Sequence, residues 1–139
     1  MFVETGILIN ALLLGVMISF IVVTSPTVFK TLDEEHSKKF LRFIFPRLFN
    51  FCFLISTLMF LFFALAEFSF GMVVAIAISI SFLINTYFLT PRINKRRDLM
   101  LTGDVGSEKQ FKKLHFASVL LYLASMISIV SIFVFYYTR

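Results

Sequence analysis

The chain has 139 residues, of which 59% are hydrophobic, 15% are charged and 20 are Phe, and its mean hydropathy is +0.93. A soluble domain needs a polar surface and a disordered chain is poor in apolar residues, so this composition excludes both classes. The net charge of +5 does not favour nucleic acid as a partner, because the basic residues flank apolar stretches, where they more often meet lipid headgroups. The composition therefore predicts an integral membrane protein.

Four uncharged stretches are each long enough to cross a bilayer as a helix, which takes roughly 20 residues for a hydrocarbon core of about 30 Å. They predict spans at approximately 5–29, 47–66, 69–90 and 113–137. Runs of this length without strand-period alternation exclude a β-barrel. No linker divides the chain, so residues 1–139 are predicted to form one all-α domain, a four-helix bundle in the membrane.

The basic residues predict the orientation of this bundle. Twelve of the 13 lie in or beside the first and third loops. The positive-inside rule places both loops in the cytoplasm and both termini outside. We therefore expect a multi-pass protein of a bacterial-type inner (plasma) membrane, with the lipid bilayer as its first partner.

Two prolines and one amphipathic segment mark the predicted helix ends. Residues 33–45 mix charges with Phe, Leu and Ile side chains, which predicts a short amphipathic helix lying at the membrane interface. Pro46 is then expected in the first turn of the second span, where its missing N–H is tolerated. Pro91 is expected to end the third span.

Other side chains near these prolines have predicted structural roles. Phe45 and Phe49 are four residues apart and are predicted to share one face of the second span. Asn94 and Asp98, together with Arg97, are expected to pair across the third loop and hold the third and fourth spans together. An exposed pair of this kind contributes about 0–1 kcal/mol.

A polar stripe distinguishes the fourth span. His115, Ser118, Tyr122 and Ser125 fall on one face about 80° wide at 100° per residue, which indicates an inward-facing stripe. Polar groups of the other spans lie at the same predicted depth, so they are predicted to form one pocket with this stripe. The alternative is that each group satisfies a helix end by itself. The candidate pocket residues are His115, Ser118, Tyr122, Asn85, Asn50, Arg92, Arg47 and Thr24.

His115 has three alternative roles, namely a metal or haem ligand, a proton relay, or a helix cap in the headgroup layer. The cap is favoured because the sequence offers no convincing second ligand and no other haem motif. No metal or cofactor is therefore predicted, and haem ligation by His115 stays a minor alternative. Burial and the neighbouring Lys112 and Lys113 predict a neutral imidazole, which would link Ser118 to Asn85 or Asn50 on a neighbouring helix in a hydrogen-bonded chain.

Three motifs carry a family resemblance, namely IFPRLF at 44–49, LTPRIN at 89–94 and FKKLHFAS at 111–118. In their order and depth they resemble the family of transmembrane protein 205 and its bacterial relatives, a domain of unknown function. The resemblance implies four spans and an F-x-x-x-H-x-x-S start to the fourth, formed here by Phe111, His115 and Ser118. It implies no settled biochemical activity.

The sequence leaves two classes of function open. No activated nucleophile, paired carboxylates or Gly-rich phosphate loop is visible, so no catalytic residue is predicted and an enzyme is not favoured. The first hypothesis is an accessory or oligomerising subunit whose partner is another membrane protein or a second copy, because 20 Phe exceed the needs of one four-helix core. The alternative is binding or transport of a lipid, an amphiphile or a tetrapyrrole in the cytoplasmic-half pocket.

Overall fold

A computed structural model of the chain describes residues 1–138 and contains four long helices. Each is long and apolar enough to cross a membrane, which confirms the predicted all-α fold of four helices and indicates a multi-pass membrane protein. Helix α1 spans Phe2–Thr31, α2 spans Glu34–Leu65, α3 spans Ser69–Leu101 and α4 spans Val105–Tyr137.

Short connections make successive helices antiparallel. Two residues separate α1 from α2, and three residues separate each of the later pairs. The carboxylate of Asp33 caps α2 by accepting a hydrogen bond from the backbone N–H of His36 at 2.9 Å. One end of the bundle thus carries the end of α1, the start of α2, the end of α3 and the start of α4. We call it the basic end, because the Lys and Arg residues cluster there.

The amphipathic segment at 33–45 is not a separate helix. Residues 34–45 form the first turns of α2, which runs through Pro46 without a break. The apolar face of this segment packs on the last turns of α1, where Leu41 is buried against Val28. The segment is therefore part of the bundle, and Pro46 lies inside α2 rather than in its first turn.

Prolines in α1 and α3 follow π-helical segments. The segment Phe20–Thr24 comes just before Pro26, and Ile84–Leu89 comes just before Pro91. A proline ring clashes with the carbonyl of residue i−4 in an α-helix, and the wider π turn makes room for it. The prediction that Pro91 ends the third helix is therefore wrong, and α3 continues to Leu101.

The half of the bundle away from the basic end is closely packed. Phe63 of α2 is fully buried, and its ring lies against Gly6 of α1 and Gly71 of α3. Only glycines fit there, because a Cβ at Gly6 would lie 2.4 Å from the ring. One turn further along α1, the amide Nδ2 of Asn10 donates to the carbonyl oxygen of Ile129 in α4 at 3.1 Å. These contacts hold α1 against its neighbours in this half of the bundle. The space for a cavity is therefore at the basic end.

Candidate functional site

A cavity of about 540 Å³ lies at the basic end, and all four helices line it. Most of its lining side chains are aromatic or aliphatic, with a minority of hydroxyl, amide and cationic groups. The lining side chains are Phe20, Ile21, Ser25 and Phe29 of α1; Lys38, Leu41, Arg42, Phe45 and Phe49 of α2; Thr90, Ile93, Asn94 and Arg97 of α3; and Phe111, His115, Ser118, Val119, Tyr122 and Leu123 of α4.

The cavity forms because α1 stops contacting α4 on this side of Tyr122. The hydroxyl of Tyr122 donates to the carbonyl oxygen of Met17 in α1 at 3.0 Å. Beyond Met17, α1 enters its π-helical segment, and its last turns pack on α2 through Val28 and Leu41. The hydrogen bond of Tyr122 therefore closes the cavity toward the centre of the bundle.

A row of aromatic rings forms the inner wall. Phe45 stacks on Phe49 with ring centroids 5.6 Å apart, as expected for two residues that share a face of α2. Phe20 of α1 lies 5.3 Å from Phe45, and Tyr122 of α4 lies 6.2 Å from Phe49, both between ring centroids. Three helices are thus joined by aromatic contacts, which present a continuous apolar surface to the cavity.

The polar stripe of α4 joins α3 behind the cavity wall. The hydroxyl of Ser118 donates to Oδ1 of Asn85 at 2.6 Å, and Nδ2 of Asn85 lies 3.5 Å from the carbonyl oxygen of Ser118. Asn85 is fully buried inside the π-helical segment of α3. The last stripe residue, Ser125, donates to Ser81 of α3 at 3.1 Å. Ser118, Tyr122 and Ser125 are buried and face protein, as their spacing predicts, whereas His115 does not.

His115 lies at the rim of the cavity and is exposed there. Its ring is parallel to that of Phe111, with an interplanar angle of 4° and centroids 5.8 Å apart. Within residues 1–138 its imidazole makes no hydrogen bond, so the predicted chain from His115 through Ser118 to Asn85 contains only its last link. The described residues also contain no group of three or more His, Cys, Asp or Glu side chains that could hold a metal ion.

Arg47 and Arg92 do not close the cavity. Both are exposed, and both follow the pattern F-x-x-P-R. Arg47 donates Nη1 to the carbonyl oxygen of Phe43 at 2.9 Å, and Arg92 donates to that of Phe88 at 3.1 Å. Each guanidinium also lies over the ring of the same Phe, at 5.8 and 3.4 Å from the ring centroid. The Phe four residues before each Arg is the sequence signal for this local arrangement.

Asn50 and Thr24 lie outside the cavity as well. Asn50 lines a second, shallower depression of about 510 Å³ between α2 and α3, next to Pro46 and Pro91. Thr24 is half-buried at the end of the π-helical segment of α1, and it is the adjacent Ser25 that reaches the cavity. Of the eight predicted pocket residues, the structure thus brings His115, Ser118 and Tyr122 to the cavity and Asn85 directly behind it.

Asp98 pairs with α2 rather than across the third loop. Its two carboxylate oxygens accept hydrogen bonds from the guanidinium of Arg42 at 2.8 and 2.7 Å. The expected pairing of Asp98 with Asn94 and Arg97 is therefore wrong. The reason is the extension of α2 beyond Pro46, which brings Arg42 beside the end of α3, whereas Asn94 and Arg97 line the cavity.

Three cationic side chains of the cavity were missed by the sequence reasoning. Lys38, Arg42 and Arg97 all line it, while no Asp or Glu among residues 1–138 does. Arg97 is half-buried and lies 5.2 Å from the ring centroid of Phe111. In the sequence Arg97 belongs to a dense basic segment, which is typical of a loop that faces lipid headgroups. Only the position of Arg97 near the end of α3 identifies it as a cavity residue.

These features define a small helical membrane protein with an aromatic, ligand-sized cavity and cationic groups at its rim. The chain belongs to the family described as Domain of unknown function (DUF4149), whose match covers residues 8–102. This range contains most of α1, all of α2 and all of α3, whereas the cavity residues of α4 lie beyond it. Neither the curated proteins nor the solved structures contain a match to the chain.

Proposed function

We propose that the protein binds a membrane amphiphile in the cavity at its basic end. The observation that carries this proposal is the cavity itself, which has about 540 Å³ and is lined by all four helices. Its volume lies within the range of roughly 300–1,000 Å³ that is common for small-molecule sites, and mostly apolar walls with a few polar groups are typical of such sites.

The distribution of side chains favours a ligand with one apolar and one polar part. Phe20, Phe45 and Phe49 surround the inner part, where an apolar chain would bury its surface. Polar and cationic groups, including His115 and Arg97, lie toward the end of the bundle where the helices begin and end. A ligand of this kind would thus lie with its chain toward the centre of the bundle.

The sides of the cavity favour entry from the bilayer rather than from water. Ile21 and Phe29 of α1 and Val119 and Leu123 of α4 line the cavity and are exposed on the surface of the bundle. Exposed apolar side chains on a membrane-spanning helix face lipid. A gap between α1 and α4 that is bordered by such side chains suits a ligand that is already dissolved in the membrane.

The proposal includes the orientation in the membrane. The distribution of Lys and Arg favours a bacterial-type inner (plasma) membrane with the basic end in the cytoplasm. Cysteines introduced as Ser69→Cys and Thr102→Cys, each in a Cys52→Ala background, test this with a membrane-impermeant maleimide on intact cells. Both positions are exposed at opposite ends of the bundle, and we expect labelling at position 69 only. Labelling at position 102 alone would indicate the opposite orientation.

The likeness to the transmembrane protein 205 family is also kept as a proposal. It is supported by the third motif, because Phe111, His115 and Ser118 all line the cavity. The first hypothesis drawn from the sequence, that of an oligomerising or accessory subunit, has no specific observation in its favour. The exposed apolar side chains of the helices suit a lipid environment as well as a partner helix.

Binding is tested with the purified protein in a neutral detergent, with palmitoyl lysophosphatidylcholine as the probe and native mass spectrometry as the readout. Val119→Trp places a bulky ring at the cavity, and Ile127→Trp places the same ring on an exposed position of α4 away from it. We expect a saturable complex that Val119→Trp abolishes and Ile127→Trp leaves intact. The proposal fails if the native protein binds neither this lysolipid nor one with an anionic head, or if both variants bind the probe equally.

A further inference from the structure

The surroundings of Arg97 indicate what kind of polar head the ligand carries. Its guanidinium is half-buried at the wall of an apolar cavity and contacts the ring face of Phe111. Within the described residues it forms no ion pair with a carboxylate. A partly desolvated cation that forms no direct ion pair is unfavourable, so an anion bound in the cavity would stabilise the site.

The nearby carboxylates do not supply this anion. Asp98 is adjacent to Arg97 in sequence, but both of its oxygens are bound by Arg42. Glu34 pairs with Lys38, and neither Glu34 nor Asp98 lines the cavity. Three cations therefore face the cavity with no acidic side chain among its lining residues, and only Arg42 and Lys38 have a carboxylate partner.

We propose, on the basis of the proposed function above, that the amphiphile is anionic and that Arg97 binds its head. A guanidinium presents a planar pair of N–H donors that matches both a carboxylate and a phosphate diester. Lys38 lines the same cavity, but its ammonium is already paired with Glu34, so Arg97 is the cation left for the head. The head then lies at Arg97, and the apolar chain extends toward Phe49 and Tyr122.

The test compares two lipids that share one acyl chain and differ in head charge. Palmitoyl lysophosphatidylglycerol is anionic, whereas palmitoyl lysophosphatidylcholine is zwitterionic, and native mass spectrometry gives the affinity of the purified protein for each. Both heads contain a phosphate diester, but the choline of the zwitterionic lipid adds a cation that Arg97 repels, so we expect the anionic lipid to bind about tenfold or more tightly than the zwitterionic one.

Three substitutions assign this preference to a residue, and two of them, Arg97→Gln and Arg96→Gln, remove the same charge. Arg97→Gln is expected to remove the preference, Arg97→Lys to keep part of it, and Arg96→Gln to keep it in full, because Arg96 does not line the cavity. Thermal unfolding of each variant in the same detergent establishes that it is folded. If Arg97→Gln does not fold, Arg97→Lys carries the test through its weaker preference for the anionic lipid.

Competition with palmitate distinguishes the two anionic chemistries. Displacement of the anionic lipid by palmitate supports a carboxylate head, and resistance to displacement supports a phosphate diester. Equal affinity of the native protein for both lysolipids, with binding still lost in Val119→Trp, would overturn the anionic head while the proposed function stands. Loss of preference in Arg96→Gln as large as in Arg97→Gln would also overturn it. If neither lysolipid binds, the proposed function is refuted instead.

Discussion

Gly6→Ala is expected to destabilise the bundle by overpacking the contact between α1 and α2. A Cβ at this position would lie 2.4 Å from Cε1 and 2.6 Å from Cδ1 of Phe63. An ordinary contact begins near 3.4 Å, so the ring has to move by about 1 Å. The ring has little room to do so, because it is fully buried and its Cδ2 lies against Gly71 of α3.

The magnitude follows from this clamped position. Extra volume in a well-packed core typically costs about 1–3 kcal/mol, and Phe63 between two helix backbones belongs to the upper part of that range. Replacing Gly by Ala also favours the helix by about 1 kcal/mol in an aqueous host. Gly15→Ala carries the same propensity gain at an exposed site where nothing lies within 4 Å of the new Cβ. The difference between the two variants therefore isolates the steric term.

Unfolding by a denaturing detergent in mixed micelles, followed by far-ultraviolet circular dichroism, measures both variants. This signal is suitable because the chain contains no Trp for fluorescence. The loss of stability caused by Gly6→Ala should be smaller in a Phe63→Leu background than in the native protein, since the smaller side chain yields to the new methyl group. Equal stability of Gly6→Ala and Gly15→Ala would refute the packing argument.

Three further substitutions test polar contacts. Ser118→Ala leaves Oδ1 of Asn85 without its hydroxyl donor and should lower the free energy of unfolding by about 1 kcal/mol. Ser128→Ala should change it little, because the hydroxyl of Ser128 donates within its own helix to the carbonyl oxygen of Ala124. Equal effects of the two substitutions would contradict this. Tyr122→Phe keeps the ring but loses the hydrogen bond to α1, so it should cost about 0.5–1.5 kcal/mol in the same assay, and no loss would contradict that bond. The amide N–H of the first turn of α2 lowers the pKa of Asp33, so its stabilisation is present above the ordinary carboxyl pKa and is lost as the pH falls through the lowered value. Asp33→Ala should therefore reduce the loss of stability on acidification, and an unchanged acid titration would exclude this role.

The sequence by itself determined the class of fold. Uncharged runs of bilayer length have to satisfy their backbone groups internally, so four such runs specify four helices whatever their neighbours are. The spacing of Ser118, Tyr122 and Ser125 likewise placed them on one face, and polar side chains in a span face protein rather than lipid. Both inferences depend only on the local sequence and on the lipid that surrounds the helices.

Tertiary structure decided which polar groups share the cavity. Each π-helical segment adds a residue to its turn and shifts every later side chain relative to a regular 100° spacing, so the faces of α1 and α3 beyond Pro26 and Pro91 could not be assigned from periodicity. The partner of Asp98 depended on α2 continuing past Pro46 to place Arg42 beside α3. The cavity and its unpaired Arg97 depend on the relative positions of four helices, which periodicity within one helix does not specify.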